Sequence, residues 1–228
     1  MALILNIDTS TEICSVAIAR DGKLLALKET DEGLNHSVLL GVYVDELLKE
    51  NGIRAKELDA VAVSMGPGSY TGLRIGVSLA KGICFGTGKP LMAISTLKAL
   101  AISVARHVDE EALFCPMIDA RRMEVYSAIF NRNGEMTREV RAEIIDPSSF
   151  SDWLVDHKIY FFGNGSGKVK EVIVHPHAQF VDRVVTSAVN MITLAEQKWE
   201  EKTFEDLAYF EPFYLKDFIA TVPKKKVL

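Results

Sequence analysis

Apolar and polar positions alternate with more than one period along the chain, and each change of period marks a new element. Residues 2–8 (ALILNID) form an apolar run, 13–19 (ICSVAIA) are rich in β-branched and small residues, and 23–28 (KLLALK) follow Asp21-Gly22. That dipeptide supplies the positive φ of a tight hairpin turn, so three consecutive strands are predicted. Leu39, Leu40, Tyr43, Val44, Leu47 and Leu48 then recur at helical spacing, with Asn35 or Ser37 as the cap and Asn51-Gly52 as the stop. Residues 59–64 (DAVAVS) read as a buried strand, followed by a Gly-Pro-Gly loop and a second helix from about 71 to 85. A short strand at 91–94 leads into a third helix over 95–107, capped by Ser95.

A second series begins near Leu113. Strands are predicted at 113–119, 124–130, 137–144 and 159–162, with a turn at 131–134, a helix after Pro147 and a long helix from about 187 to 200. The two series imply a duplicated α/β fold, each half built as β-β-β-α-β-α, with a cleft between the halves. This is the architecture of the acetate kinase, sugar kinase, Hsp70 and actin (ribonuclease H-like) superfamily. The expected partition is an actin-like first half over 1–108, joined by the C-terminal segment 212–228, and a smaller second half over 109–211.

Composition narrows the function classes. At 228 residues, 48% hydrophobic and 25% charged, the chain has enough core to fold without staples. Its 26 basic and 31 acidic residues leave a net charge of −5, which argues against a protein that grips a phosphate backbone alone. Cys14, Cys84 and Cys115 sit in apolar stretches without paired spacing, as reduced buried thiols do. No apolar run approaches the roughly 18 residues of a membrane span, and no basic leader opens the chain, so the cytoplasm is the expected address.

Several motifs carry candidate chemistry. Asp8, Thr9 and Ser10 end the first strand, where an acid and hydroxyls could hold Mg²⁺ or phosphate; a plain strand-to-turn junction uses the same residues. Asp119, in Asp119-Ala120-Arg121-Arg122, occupies the matching turn of the second half; the paired arginines suit carboxylates, phosphates or nearby acids. Gly163 and Gly165 in FFGNGSGK follow a strand, as phosphate-lining backbone does and as a flexible turn does. The block GPGSYTGLRIG (66–76) lacks the Lys-Ser/Thr of a P-loop and the dinucleotide spacing. In it Gly72, Gly76 and Ala80 fall on one helix stripe beside Leu73, Val77 and Cys84, which suits close packing against a partner helix or against this chain's own core. His175 and His177 share a face only if extended, Pro176 disfavours that, and no metal site is expected.

Together, ILNIDTST, GPGSYTGLRIG running into SLAKGICFGTGKPLMAISTL, DARRMEVY, FFGNGSGK and PFYLK resemble the TsaB (YeaZ) family across essentially the whole chain. Members are bacterial subunits of the machinery that makes threonylcarbamoyladenosine at position 37 of tRNAs reading ANN codons. The resemblance implies a kinase-like fold without kinase activity. In the related transferase family, TsaD, the helix after Lys-Pro begins with two metal-binding histidines one turn apart, and the equivalent positions here are Thr96 and Leu100. It therefore implies a non-catalytic dimerisation subunit with no cofactor of its own, although ATP or ADP could visit the remnant cleft or the complex interface. TsaD is the implied partner, through helices at 36–50 and 71–86 with Leu39, Tyr43, Leu47, Gly72, Leu73, Gly76, Val77 and Ala80 at the seam. The ATPase TsaE would join the larger complex, a homodimer would form in isolation, tRNA would be met only through the complex, and no membrane is involved. The alternative is an acetate-kinase-like phosphotransferase using Asp8 and the glycine loops on ATP and Mg²⁺.

Overall fold

A computed structural model describes residues 2–31 and 35–215. The first sheet contains β1 (Leu3–Asp8), β2 (Cys14–Arg20), β3 (Lys23–Thr30), β4 (Ala60–Gly66) and β5 (Leu91–Ser95), in the order β3-β2-β1-β4-β5. The second contains β6 (Leu113–Asp119), β7 (Glu124–Phe130), β8 (Met136–Ile144), β9 (Ile159–Phe162) and β10 (Ala178–Val181), in the order β10-β9-β6-β7-β8. In each, an antiparallel meander is extended by two parallel strands on the far side of its first strand. The fold is thus a ribonuclease H-like α/β unit present twice.

Central β1 is paired on both edges, and all six of its residues are buried. That explains its continuous apolar reading, because a strand covered on both faces has no solvent side to make polar. One face, through Leu3, Leu5 and Ile7, packs on α1 (His36–Glu50) and α2 (Tyr70–Thr87). The other, through Ala2 and Ile4, packs on Met191, Leu194 and Ala195 of α6 (Ala188–Glu200). The helix α3 (Thr96–Ala105) joins the halves: Ala99 packs with the α6 cluster, while Leu97, Leu100, Ala101 and Val104 pack on Phe114, Ile118, Phe130 and Phe162 of the second sheet. Burying each such phenylalanine contributes about 1.5–3 kcal/mol. The opposite face of the second sheet carries only two four-residue helices, α4 (Ser151–Leu154) and α5 (Ser166–Val169).

Capping follows the sequence at three helices. Ser69, Ser95 and Ser187 each accept a backbone N–H of the first turn of α2, α3 and α6, and Gly88 ends α2 at φ 71°. Helix α1 differs: Asn35 stands at the cap without a side-chain bond, and Ser37 lies inside the helix.

The expected partition at 109–211 needs correction. Helix α6 and the segment after it belong with the first sheet: Glu205 N–H donates to Leu91 O, Leu207 and Phe210 pack on the first core, and Phe213 N–H donates to Met65 O. A helix with an apolar face must cover a sheet, and the open face available was that of the first half. Sequence order alone cannot show such a return. Of the segment 212–228, residues 216–228, including Lys216 and the lysine cluster 224–226, lie outside the described residues. Strand β10 and helix α5, only four residues each, are too short to show a period in the sequence. Among the described residues, no helix is long and apolar enough to cross a membrane.

Candidate functional site

The first turn, Asp8–Ser10, is closed over by the glycine-rich loop. Asp8 is 3% exposed, and its Oδ1 accepts both the N–H (2.9 Å) and the hydroxyl (2.7 Å) of Ser10. Burial pushes its carboxyl above the usual aspartate range, against the Ser10 and Ser64 hydrogen bonds and the charge of His36, which lower it. Thr9 donates its hydroxyl to Gly72 O (2.8 Å), and Ser69 N–H donates to Ser10 O (2.7 Å). A Cβ at Gly68 or Gly72 would overlap the carbonyl oxygen of Ser10 or Thr9, and one at Gly76 would overlap the Thr9 hydroxyl. The glycines therefore let α2 and its loop lie directly on the first turn.

This corrects the reading of the small-residue stripe. Gly72, Leu73, Gly76, Val77 and Ala80 are buried within the chain's own first half, where no partner helix can touch them. Leu47 is core as well, while Leu39 and Tyr43 are half-buried against that core. The amphipathic pattern is real, but its apolar side was needed to cover the sheet.

The second half repeats the plug. Gly163, at φ 100°, and Gly165 press against the backbone of β6, where a Cβ would overlap Met117 O or crowd Ile118 C at 2.9 Å. Asp119 N–H donates to Asn164 Oδ1 (3.0 Å), and Asn164 Nδ2 donates to Glu12 Oε2 (2.9 Å), tying the turns of the two halves across the cleft mouth. Lys168 pairs with Asp119 and donates to Glu124 O (2.7 Å), so it is engaged rather than solvated. The glycines expected to line phosphate instead provide close backbone contact. Glu12 and Asn164 escaped the sequence reading because their 152-residue separation carries no local signal.

Thr96 and Leu100 are both buried, Leu100 within the Phe114 and Phe162 cluster. Thr96 Oγ1 finds no hydrogen-bond partner. His177 Nδ1 lies 2.8 Å from Leu154 O, and His175 Nδ1 accepts the His177 N–H, both ahead of β10 rather than on it. No group of three His, Cys, Asp or Glu side chains suited to a metal occurs among the described residues. Burial pushes the Cys14 and Cys84 thiols up to about 11 and raises Cys115 as well, which keeps all three protonated and unreactive at neutral pH.

What α1 and α2 leave outward is a second, smaller apolar face. Val38 is 67% exposed, Val42 46% and Phe85 85%. Beside them Gly41 on α1 and Gly82 and Gly86 on α2 have open space where a Cβ would stand. Positions 38, 41 and 42 on one helix and 82, 85 and 86 on the other fall at 3–4 spacing. That periodicity was legible, but it is masked by the stronger inward stripe.

Residues 31–224 match the family described as TsaD: tRNA N6-adenosine threonylcarbamoyltransferase. The tRNA threonylcarbamoyladenosine biosynthesis protein TsaB of Bacillus subtilis (strain 168) is 35% identical over 176 residues, covering 75% of this chain and 74% of that protein. The TsaB protein of Haemophilus influenzae is 30% identical over 223 residues, covering 94% and 93%. Among solved structures, YeaZ from Pseudomonas aeruginosa superposes with a TM-score of 0.80 at 29% identity, covering 94% of this chain and 100% of that one. The duplicated fold and these relatives place the chain in the TsaB family of tRNA threonylcarbamoyladenosine biosynthesis proteins, within the wider TsaD family.

Proposed function

We propose that this chain is a non-catalytic subunit that docks the family's threonylcarbamoyltransferase, TsaD, on the outward face of α1 and α2. The observation that carries this is the pairing of exposed Val38, Val42 and Phe85 with three uncrowded glycines, Gly41, Gly82 and Gly86, on adjacent helices. Glycines let a second helix pair approach closely, and desolvated aromatic and aliphatic anchors supply the affinity. A match to the TsaD family over most of the chain supports a partner of related shape, meeting this face in a pseudo-symmetric pair. A second copy would occupy the same face when the transferase is absent, and TsaE and tRNA would join through the complex.

The chemistry supports a subunit without its own turnover. Asp8 is buried with its Oδ1 held by Ser10, and Gly68 and Gly72 lie directly on the backbone of the first turn. A hydroxyl and an isobutyl group at Thr96 and Leu100 cannot ligate a metal as two imidazoles can. Mg²⁺-dependent turnover of ATP by the isolated chain would overturn this reading in favour of a phosphotransferase.

The interface is tested by Val42→Glu with Phe85→Asp, both on exposed positions. Co-purification with TsaD should weaken by roughly 30-fold or more, the scale of losing a hot spot, while the isolated chain melts unchanged. Undiminished association would place the docking surface elsewhere.

A further inference from the structure

The β6–β7 hairpin turns through two consecutive arginines in the left-handed region, Arg121 at φ 72° and Arg122 at φ 49°. A bulky L-residue there crowds its own Cβ against the backbone, and turns of this kind favour Asn, Asp and Gly. The other two hairpins use those residues, Asp21-Gly22 turning β2 into β3 with φ 51° and 69° and Gly134 at φ 75° closing the 131–134 turn, whereas Phe150, Arg183 and Lys202 are single bulky residues at positive φ outside the hairpins. Two arginines at 121 and 122 thus work against the turn they occupy. Strained backbone conformations cluster at functional sites, and here the strained residues are two neighbouring exposed side chains rather than core.

The side chains have no such folding role. Both arginines are exposed, and neither guanidinium makes a hydrogen bond or ion pair among the described residues. Asp119, an acid beside them, is already engaged by Lys168, and its Oδ1 accepts the Arg121 N–H at 2.9 Å. The base of the turn is held by Ala120 N–H to Glu124 O (3.0 Å), Glu124 N–H to Arg121 O (3.1 Å) and Lys168 Nζ to Glu124 O (2.7 Å). Two adjacent, unneutralised guanidiniums are therefore carried on a braced tip in a chain of net charge −5. Guanidinium matches a phosphate bidentately, and a pre-ordered tip loses little freedom on binding.

We propose that the Arg121–Arg122 tip is a prong that grips backbone phosphates of the RNA when the chain sits in its complex. The inference rests on the subunit role proposed above and adds a direct RNA contact to it. Phosphodiester groups fit the charge of the two exposed guanidiniums, and they require no sequence readout.

The test compares the native chain with Arg121→Asn/Arg122→Gly and Arg121→Lys/Arg122→Lys, each in complex with TsaD, by titrating tRNA at several salt concentrations. Complex formation is followed separately by light scattering. The Asn-Gly variant should melt higher and hold TsaD as before, yet bind tRNA about tenfold more weakly at low salt, with the slope of log K against log salt reduced by roughly 1–2. The lysine variant should keep the slope, since it keeps the charge. Equal tRNA affinity and slope for the native and Asn-Gly tips overturn the prong alone, as does a lysine variant that loses the slope as the Asn-Gly one does. A loss of TsaD binding with tRNA affinity intact reassigns the tip to a protein carboxylate and overturns the RNA contact. A native chain that forms no complex overturns the subunit reading and the prong together.

Discussion

In the first half, β1 is covered on one face by the 15- and 18-residue helices α1 and α2 and on the other by α6, whereas β6 of the second half has α3 on one face and four-residue helices on the other. One sheet order thus supports two kinds of surface. A long helix that spends one stripe on the core still has a second to offer, and α1 and α2 present Val38, Val42 and Phe85 there. A four-residue helix has no such spare face. What the second half offers instead is a hairpin tip, where two arginines stand in a conformation that the first half gives to Asp21-Gly22. The same sheet order thus carries long helices with exposed Val38, Val42 and Phe85 in one half and an exposed arginine hairpin tip in the other.

The contrast extends to single residues, most strongly along α2 itself. Gly72→Ala should destabilise the chain by about 3 kcal/mol or more, because its Cβ has nowhere to go but into Thr9 O, whereas Gly82→Ala on the outward face should stabilise it by about 0.5–1 kcal/mol through helix propensity. Chemical denaturation of both variants checks this, and equal effects would erase the distinction between inner and outer stripes. Asp8 tests whether the first turn is a plug. Burial raises its folded carboxyl above the unfolded value, so the native state holds its proton more tightly, and this contribution to stability falls as pH rises through the raised pKa. Asp8→Asn should remove that fall from a pH series of melting curves; an unchanged slope would mean the carboxyl is hydrated. A modest effect is expected at the tie between the halves. Asn164→Ala removes its bonds to Glu12 and to the Asp119 N–H and should cost about 1 kcal/mol, leaving each half folded, as hydrogen exchange at β1 and β6 would report.

Most strands were legible because their cause is local. The runs at 113–119, 124–130 and 159–162 are bounded as the alternation and the Asn131–Gly134 turn imply. Ser95 announced the start of α3 for a similarly local reason, and the structure shows Ser69 and Ser187 capping α2 and α6 in the same way. The candidate site was legible only as a set of positions. Asp8 and Asp119 do end the equivalent strands β1 and β6, and Gly163 and Gly165 follow β9, yet nothing in their spacing reveals that Gly163 presses on Met117 O or that Gly68 and Gly72 press on Ser10 O and Thr9 O. Those contacts bring together segments far apart in sequence, such as Ser69 on Ser10.

By itself the sequence determined the period of each element, the duplicated order and the family, since these follow from side-chain alternation, turn chemistry and residue identity. Tertiary structure decided which of two usable stripes on α2 faces inward, which half receives α6, and that the glycine loops close on protein rather than stand open. Each of those outcomes is a competition between surfaces for the same apolar cover or the same carbonyl oxygen. Such competition is settled by three-dimensional fit, with α2 giving its glycines to Thr9 and leaving Phe85 to solvent.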